Sequence, residues 1–189
     1  SLQGCHQEAT VHEDFDPFSQ KKTCFLEPMI VGTSFAFFGQ SKTADMTLQK
    51  IDCQKVRMKM HIKSQDSLKG LKSGGKITFT IKKNNEKTKE ISYQIQDLMT
   101  AKESRTENIH LPFGGYYTVI IIEHGSMGTI IMDVKDLKEM ALSEVWEFNV
   151  DGIKENFTDT FNQGIKDNIM SFIQQCYQEQ PQKKSKTHE

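Results

Sequence analysis

The sequence predicts an antiparallel β-sheet with a C-terminal helix, and three observations lead to that prediction. Residues 56–63 (VRMKMHIK) alternate between apolar and polar side chains, which is the two-residue period of a half-buried strand. Several other stretches repeat this alternation, and apolar residues recur at helical spacing between residues 153 and 176. The sheet should therefore carry one apolar face, and the functional question is what that face encloses.

Length and composition restrict the function classes. The chain has 189 residues, which suits one domain, and it is 36 % hydrophobic and 26 % charged with a formal net charge of -1. This charge provides no general attraction to nucleic acid or to an anionic membrane. No apolar run approaches the roughly 20 residues of a membrane span, and the N-terminal residues lack the apolar segment of a signal peptide. We expect a soluble protein, either cytosolic or already processed, with no nucleic-acid partner and no membrane span.

The cysteine pattern favours a secreted protein. Cys5, Cys24, Cys53 and Cys176 are widely spaced and form no C-x-x-C pair of the kind that zinc and redox sites use. Two disulfides are the favoured interpretation, with the pairing Cys5–Cys24 and Cys53–Cys176 preferred among three connectivities; four reduced thiols in a cytosolic protein are the alternative. A sequon at Asn156 predicts glycosylation and adds weight to an extracellular setting.

The predicted elements begin with an irregular lead-in. Residues 1–28 are polar and are expected to pack on the domain through Phe15, Phe18 and Phe25. Alternation or β-branched enrichment then predicts strands at residues 29–38, 47–63, 76–82, 90–96, 116–123, 129–134 and 145–150. Turns at residues 83–86 and 124–128 would join two pairs of these strands as hairpins, and residues 64–75 and 98–108 are interpreted as loops.

The end of the chain is predicted to be helical. Asp151 suits a helix N-cap, and the apolar stripe that ends at Cys176 indicates one helix, or two short helices broken at Gly164. The strands at 116–123 and 129–134 carry apolar residues on both faces, so the helix is expected to cover the outer face of the sheet. Residues 29–178 would form a single domain, followed by a polar, disordered tail at 179–189.

No group of residues has the pattern of a catalytic or metal site. An enzyme needs a nucleophile beside a base, paired carboxylates, or metal ligands within reach of one another. Residues 124–128 (HGSMG) superficially resemble a nucleophile elbow, but His124 stands where that motif has glycine, and a strand follows where the motif needs a helix. We interpret this run as a hairpin turn and expect no enzyme activity, no cofactor and no metal.

The apolar face of the sheet is the candidate binding site. If the strands close into a barrel, alternation points apolar side chains inward, and a barrel of about eight strands has room for one small ligand. The expected ligand-binding residues are Phe35, Phe37, Val56, Met58, Met60, Phe79, Tyr93, Tyr117, Val119, Ile121 and Met132. The alternative is that these side chains, together with Ile77, Ile81, Ile91, Ile95 and Ile130, simply fill a core.

The order of elements resembles that of the lipocalins. Three stretches carry the resemblance: the acidic lead-in at residues 12–16, the strand at 46–60 with its Ile-Asp-Cys, and the helical run at 153–176 with its late cysteine. The chain would be a divergent member, because the first strand has Phe35 near Gly32 where the family usually has a Gly-x-Trp. The resemblance implies an eight-stranded antiparallel up-and-down barrel with a C-terminal helix, secreted, with a small lipophilic molecule inside.

Two functions follow as expectations. The first is a carrier or scavenger of a fatty acid, retinoid, steroid or odorant, which would bind by desolvation and be oriented by Tyr93, Tyr117 or His61. The alternative is a secreted protein-binding module, for example a host-interaction or immune-modulating protein, that uses loops 64–75 and 98–115 on a filled scaffold. A protein receptor is a further possible partner of the carrier.

Overall fold

The computed structural model describes residues 9–16, 21–35, 41–66, 70–84 and 86–177. These residues form ten strands and two helices. In chain order the elements are β1 (Val11–Asp16), β2 (Lys21–Phe35), β3 (Ser41–Lys50), β4 (Lys55–Ser64), β5 (Lys76–Lys83), β6 (Glu86–Gln94), β7 (Gln96–His110), β8 (Tyr116–Asp133), α1 (Val134–Ala141), β9 (Val145–Val150), β10 (Phe157–Thr160) and α2 (Gln163–Tyr177).

The described strands form two antiparallel sheets, which confirms the predicted antiparallel β-structure with a C-terminal helix. Six strands form a curled sheet in the order β1-β2-β3-β4-β8-β7, and four form a smaller sheet in the order β10-β9-β5-β6. Neighbouring strands in both sheets run antiparallel. A closed eight-stranded barrel is the finer prediction, and it stays a prediction.

Strand β4 confirms the interpretation of residues 56–63. Its side chains alternate strictly between buried and half-buried, and Val56, Met58, Met60 and Ile62 are at most 1 % exposed. The strand is central in the six-stranded sheet, with β3 on one side and β8 on the other. One face of β4 therefore contributes to the core while its basic face lies towards solvent.

Both sheets and both helices contribute to one hydrophobic core. The smaller sheet supplies Phe79 from β5 and Trp146 from β9, whose ring centroids lie 5.7 Å apart. Phe161, just before α2, packs on Trp146 with a centroid distance of 4.0 Å. The predicted hairpin β5–β6 and the predicted strand β9 are both confirmed. Helix α1 was not predicted; it buries Leu137 and Met140.

Helix α2 lies on the core side of the six-stranded sheet, so the prediction that it covers the outer face is wrong. Its buried side chains, including Ile169 and Phe172, belong to the same core as the inward residues of β4. The outer face of the sheet remains open at Ile30 and Ile131, which are 52 % and 39 % exposed. The apolar residues on both faces of the predicted strands 116–123 and 129–134, which suggested an outer cover, belong to the single strand β8.

The predicted start of the helix is also wrong. Residues 157–160 pair with β9 as strand β10, so helical spacing in this segment did not produce a helix. The Asn162 side chain accepts the backbone N–H of Ile165 at 3.0 Å, which caps α2 one residue before Gln163 rather than at Asp151. Gly164 falls in the first turn of α2 and does not divide it into two helices.

The described part of the lead-in is strand, not irregular structure, from Val11 onwards. Strand β1 pairs with the first residues of β2, and Pro28 lies at a register shift between Leu26 and Met29, where the pairing to β3 is interrupted. Phe15 is 59 % exposed and Phe25 is 36 % exposed, so neither serves as the predicted buried anchor. Phe18, residues 1–8 and the predicted tail at 179–189 lie outside the described residues.

The predicted hairpin with a turn at residues 124–128 is wrong. Residues 116–133 form the single strand β8, and the true hairpin partner is β7, which replaces the predicted charged loop at 98–108. The glycines of β8 are there for close packing: a Cβ at Gly125 would lie 2.6 Å from His61 Nε2, and one at Gly128 would lie 2.6 Å from Ile95 Cγ2. Glycine therefore marked close contacts, and not a turn.

The predicted disulfide pairing is wrong as well. Cys24 on β2 is bonded to Cys176 in the last turn of α2, with 5.8 Å between their Cα atoms. Cys53 lies in the exposed turn between β3 and β4 as a free thiol among the described residues. The Asp52 carboxylate accepts two backbone N–H groups there and holds that turn. Cys5 lies outside the described residues.

Candidate binding surface on the β7–β8 arm

The most unusual feature of the structure is an extension of β7 and β8 beyond the rest of the sheet. Residue His124 of β8 makes the last pairing with β4, opposite Ser64. Beyond that point, among the residues that the structure describes, residues 116–123 pair only with residues 103–110 of β7. We call residues 103–123 the arm. At about 3.3 Å per residue the eight residues of β8 beyond His124 extend about 26 Å from the sheet.

One face of the arm continues the core face of the sheet. Strand β8 is unbroken, so the buried residues Ile130 and Met132 share their face with Tyr116, Ile120 and Ile122. We call this side the inner face of the arm. Within the described residues nothing covers it: Tyr116 is 65 %, Ile120 72 % and Ile122 39 % exposed. Apolar side chains thus continue past the end of the core into solvent.

Strand β7 presents polar side chains opposite these apolar residues, with His110 opposite Tyr116. Ser104 pairs with Ile122, Thr106 with Ile120 and Asn108 with Thr118. The Thr118 hydroxyl donates to the Asn108 side-chain oxygen at 2.8 Å. The inner face is therefore an apolar stripe on β8 bordered by a polar stripe on β7.

The tip of the arm is apolar and uncharged. Residues 108–122 contain no Asp, Glu, Lys or Arg. The turn carries Phe113, which is fully exposed, and Leu111, which is 46 % exposed. Gly114 and Gly115 adopt φ values of +89° and +87°, a conformation that L side chains rarely adopt, and they close the turn. Phe113 thus adds a fully exposed aromatic side chain to the apolar residues at this end of the arm.

The outer face of the arm carries charged side chains beside Tyr117, Val119 and Ile121. Arg105 Nε and Glu107 Oε1 form an ion pair at 2.9 Å, and both side chains are largely exposed. Glu103 lies directly opposite Glu123, so two like charges face each other across the strands. The imidazole of His61 covers Gly125 beside them. Burial, and next the Lys63 ammonium, lower the pKa of His61 below its ordinary value.

A cleft of about 360 Å³ lies at the foot of the arm. Its lining residues are Gly70, Thr100, Ala101, Lys102, His124, Gly125, Ser126 and Ile153. The backbone N–H of Leu71 donates to the buried Ser126 hydroxyl at 2.8 Å, and the N–H of Ile153 donates to the Gly70 carbonyl at 3.0 Å. The first bond fixes the segment at residues 70–75, part of the predicted loop 64–75, against β8, and the second joins it to Ile153.

Five of the predicted ligand-binding residues lie together in the core. Val56, Met58, Met60, Phe79 and Met132 are each at most 1 % exposed and belong to one packed cluster. The position of these residues is as predicted; their role as ligand contacts stays a prediction.

Tyr93 lies at the edge of the core. Its hydroxyl donates to Asp136 Oδ2 at 3.0 Å, and burial, with that hydrogen bond, raises the pKa of the phenol. Phe37 lies outside the described residues, as does the side chain of Phe35.

Three other predicted contacts lie on the face of β8 opposite to Ile130 and Met132, and their role as ligand contacts stays a prediction. Tyr117, Val119 and Ile121 were expected to point inward with Ile130 and Met132. Because β8 runs through residues 124–128 without a turn, odd-numbered residues point away from the core face. Tyr117 is 47 % exposed on the outer side of the arm. The predicted orientation followed from a turn that does not exist.

The residues that the structure adds to the candidate site are Tyr116, Ile120, Ile122 and Phe113. The signal that predicts them was present in the sequence: an uncharged stretch of strongly β-prone residues with apolar side chains on both faces. A core strand and a projecting arm share that signal, because local pattern does not say whether a third strand lies alongside.

The described residues meet neither the requirements of a metal site nor those of a membrane-spanning helix. No group of three or more His, Cys, Asp or Glu side chains in these ranges is arranged to hold a metal ion. Neither described helix has the length and hydropathy required to span a bilayer. No protein-family model, curated protein or solved structure matches this chain.

Proposed function

We propose that this protein is a secreted binding module whose arm docks on an apolar surface of another protein. The observation that supports the proposal is the uncovered inner face, where Ile120 is 72 % exposed on the same side of β8 that forms the core further along. Large exposed apolar patches on soluble proteins are typical of interaction sites.

Energetics favour contact over permanent exposure. Full burial of an aliphatic or aromatic side chain contributes about 1.5–3 kcal/mol. Weighted by their exposed fractions, Tyr116, Ile120, Ile122 and Phe113 together offer roughly 4–8 kcal/mol, from which the cost of association is subtracted. A two-stranded ribbon is also marginally stable alone in water, so a partner would stabilise the arm as well as cover it.

Packing of the core favours docking over internal transport. Met58, Met60 and Phe79, which were expected to line a ligand cavity, are at most 1 % exposed within one contiguous cluster. Side chains packed in this way act as a scaffold, while the working surface lies on a projecting hairpin. The segment 98–115, which the alternative prediction assigned to partner binding, forms most of β7 and the tip of the arm.

Secretion is part of the proposal. The Cys24–Cys176 disulfide is compatible with an extracellular protein, since such bonds persist in oxidising compartments. Asn156 is exposed immediately before β10, where a glycan would be accessible.

Site-specific cross-linking tests the proposal. A photoreactive benzoylphenylalanine is placed at position 120 or 113 on the arm, and at position 131 on the outer face of the same strand as the matched control. We expect one discrete protein from the native extracellular fluid to be joined to positions 120 and 113 but not to 131. The purified partner should bind the Ile120→Ser/Phe113→Ser variant at least about tenfold more weakly, and the Ile131→Ser variant normally. A product that is equal at all positions, or a lipid adduct alone, would overturn the proposal.

The second candidate is a carrier of a small amphipathic lipophile, the function that the lipocalin resemblance implies. The foot cleft supports it, because about 360 Å³ is within the range of ligand pockets, and Lys102 and His124 there adjoin the apolar stripe that begins at Ile122. A carboxylate would lie at Lys102 with its chain along the inner face. Native mass spectrometry with an organic extract, and uptake of a fluorescent fatty acid by wild type and by Lys102→Gln, test it. No bound lipophile and no uptake would exclude it.

A further inference from the structure

We propose that two copies of this chain pair through strand β7, antiparallel, about a two-fold axis at Ser104. The pairing would join the two six-stranded sheets edge to edge into one continuous sheet. This inference goes beyond the docking function, because it uses the edge of β7 and leaves the inner face of the arm open.

Strand β7 is a long, open edge. It is the last strand in the order of the six-stranded sheet, and among the described residues only β8 pairs with it. Its 15 residues contain no proline or glycine. An edge strand of this kind presents a row of unpaired N–H and C=O groups that another strand can complete.

The charges along β7 select the register. A two-fold axis perpendicular to the sheet keeps both copies on the same faces, so residues equally distant from the axis lie opposite each other. With the axis at Ser104, Glu103 lies opposite Arg105 of the second copy, and the exposed Met99 lies opposite Ile109 of the second copy. Because the dimer has two-fold symmetry, each of these contacts occurs twice.

Neighbouring registers are poorer. An axis at Arg105 places that guanidinium opposite its own copy and Glu103 opposite Glu107 of the second copy, so these charged residues all meet like charges. An axis at Thr106 keeps Arg105 opposite Glu107 but pairs only residues 102–110, whereas the axis at Ser104 pairs residues 98–110. The Ser104 register therefore combines opposite charges with the longer overlap.

The same register resolves two weaknesses of the single chain. Glu103 and Glu123 face each other across the arm, and Arg105 of the second copy would lie beside Glu103 as a counter-charge. The arm also gains a third strand, because residues 105–110 would pair with residues 98–103 of the second copy. A hairpin that is marginal with two strands becomes part of a wide sheet.

Cysteine cross-linking tests the register directly. The background has Cys5 and Cys53 replaced by Ser. In it, Ser104→Cys places one cysteine of each copy directly opposite the other, with their Cα atoms about 4.5–5.5 Å apart and therefore within disulfide range. Thr106→Cys is the matched control, because in this register its two copies are separated by about 13 Å along the strand. We expect mild oxidation to link Ser104→Cys into a dimer and to leave Thr106→Cys monomeric. Linking of Thr106→Cys instead, or of neither variant, would overturn the proposal.

A charge swap tests the contact in the otherwise native chain. Glu103→Arg and Arg105→Glu each turn two attractive contacts into two repulsive ones, so the dimer dissociation constant should rise about tenfold or more. The double variant Glu103→Arg/Arg105→Glu restores opposite charges and should return to within about threefold of wild type. Sedimentation equilibrium measures the constants, with circular dichroism to confirm folding. A wild-type chain that stays monomeric at about 100 μM, or a double variant weaker than either single variant, would contradict the pairing.

Discussion

Replacing Cys24 and Cys176 together by Ala should remove about 3–5 kcal/mol from the free energy of unfolding. The disulfide joins β2 near the start of the described sheet to the last turn of α2. Without it, the helix would be held on the sheet by its apolar side chains and by hydrogen bonds such as that from the Tyr177 hydroxyl to the Lys55 carbonyl at 2.8 Å. The double replacement tests how far the covalent bond, and not packing, secures the end of the chain.

The magnitude follows from the loop that the bond closes. The two cysteines are 152 residues apart in sequence, and the chain-entropy relation for a loop of that size gives about 5 kcal/mol at 25 °C. Both cysteine side chains are buried, at 3 % and 5 % exposure. Alanine is also small and apolar, so the replacements cause little further loss of packing. Residual structure in the unfolded chain reduces the entropic benefit, which sets the lower bound of about 3 kcal/mol.

Equilibrium unfolding in urea measures the effect, and Cys53→Ala is the matched control because that thiol is exposed in a turn. The control should unfold within about 0.5 kcal/mol of wild type. Reducing agent should lower the stability of wild type and leave the double variant unchanged. If the double variant matches wild type, or if Cys53→Ala loses as much, the assignment of the disulfide is refuted.

Three further substitutions test the sheet: two change its packing, and the third changes the titration of His61. Met58→Ala removes a fully buried side chain and should cost about 2–5 kcal/mol in urea unfolding, whereas Lys59→Ala on the opposite face should cost under about 0.5 kcal/mol; similar losses would contradict the assigned faces. Gly128→Ala would place its Cβ 2.6 Å from Ile95 Cγ2 and should cost about 1–3 kcal/mol by the same assay, so an unchanged midpoint would argue against that close approach. Because the pKa of His61 is lowered in the folded protein, the unfolded chain binds a proton at this residue more readily. The stability associated with neutral His61 is therefore fully present above the ordinary pKa of 6.5, and it is lost as the pH falls through the lowered pKa of the folded state. Thermal melts between about pH 7.5 and about pH 5 should show a smaller loss for His61→Gln than for wild type, and equal slopes would contradict this reasoning.

Elements with a clear local signal were predicted well. Strand β4 alternates without exception, and the β5–β6 hairpin has two alternating runs around a short turn. In each case the period of the side chains and the turn chemistry lie within a few neighbouring residues. Such signals survive in the fold because burial of one face stabilises the same conformation that the local sequence favours.

Errors arose where one signal has two structural causes. Glycine at 125 and 128 suggested a turn but serves close approach to His61 and Ile95. That mistake divided β8 into two strands and reversed the faces of Tyr117, Val119 and Ile121, since a change of one residue in register moves every side chain to the other face.

The amino-acid sequence alone determined the antiparallel β class, the inward face of β4 and a C-terminal helix that contains Cys176, because these depend on periodicity along a short stretch of chain. Only the tertiary structure decided which cysteine bonds with Cys176, on which side of the sheet α2 lies and where β8 loses its third strand. Those outcomes depend on contacts between residues that are far apart in sequence, and local pattern carries no record of them. The exposed arm is one consequence: an apolar run predicts burial, but the fold sets whether a neighbour within the same chain provides it.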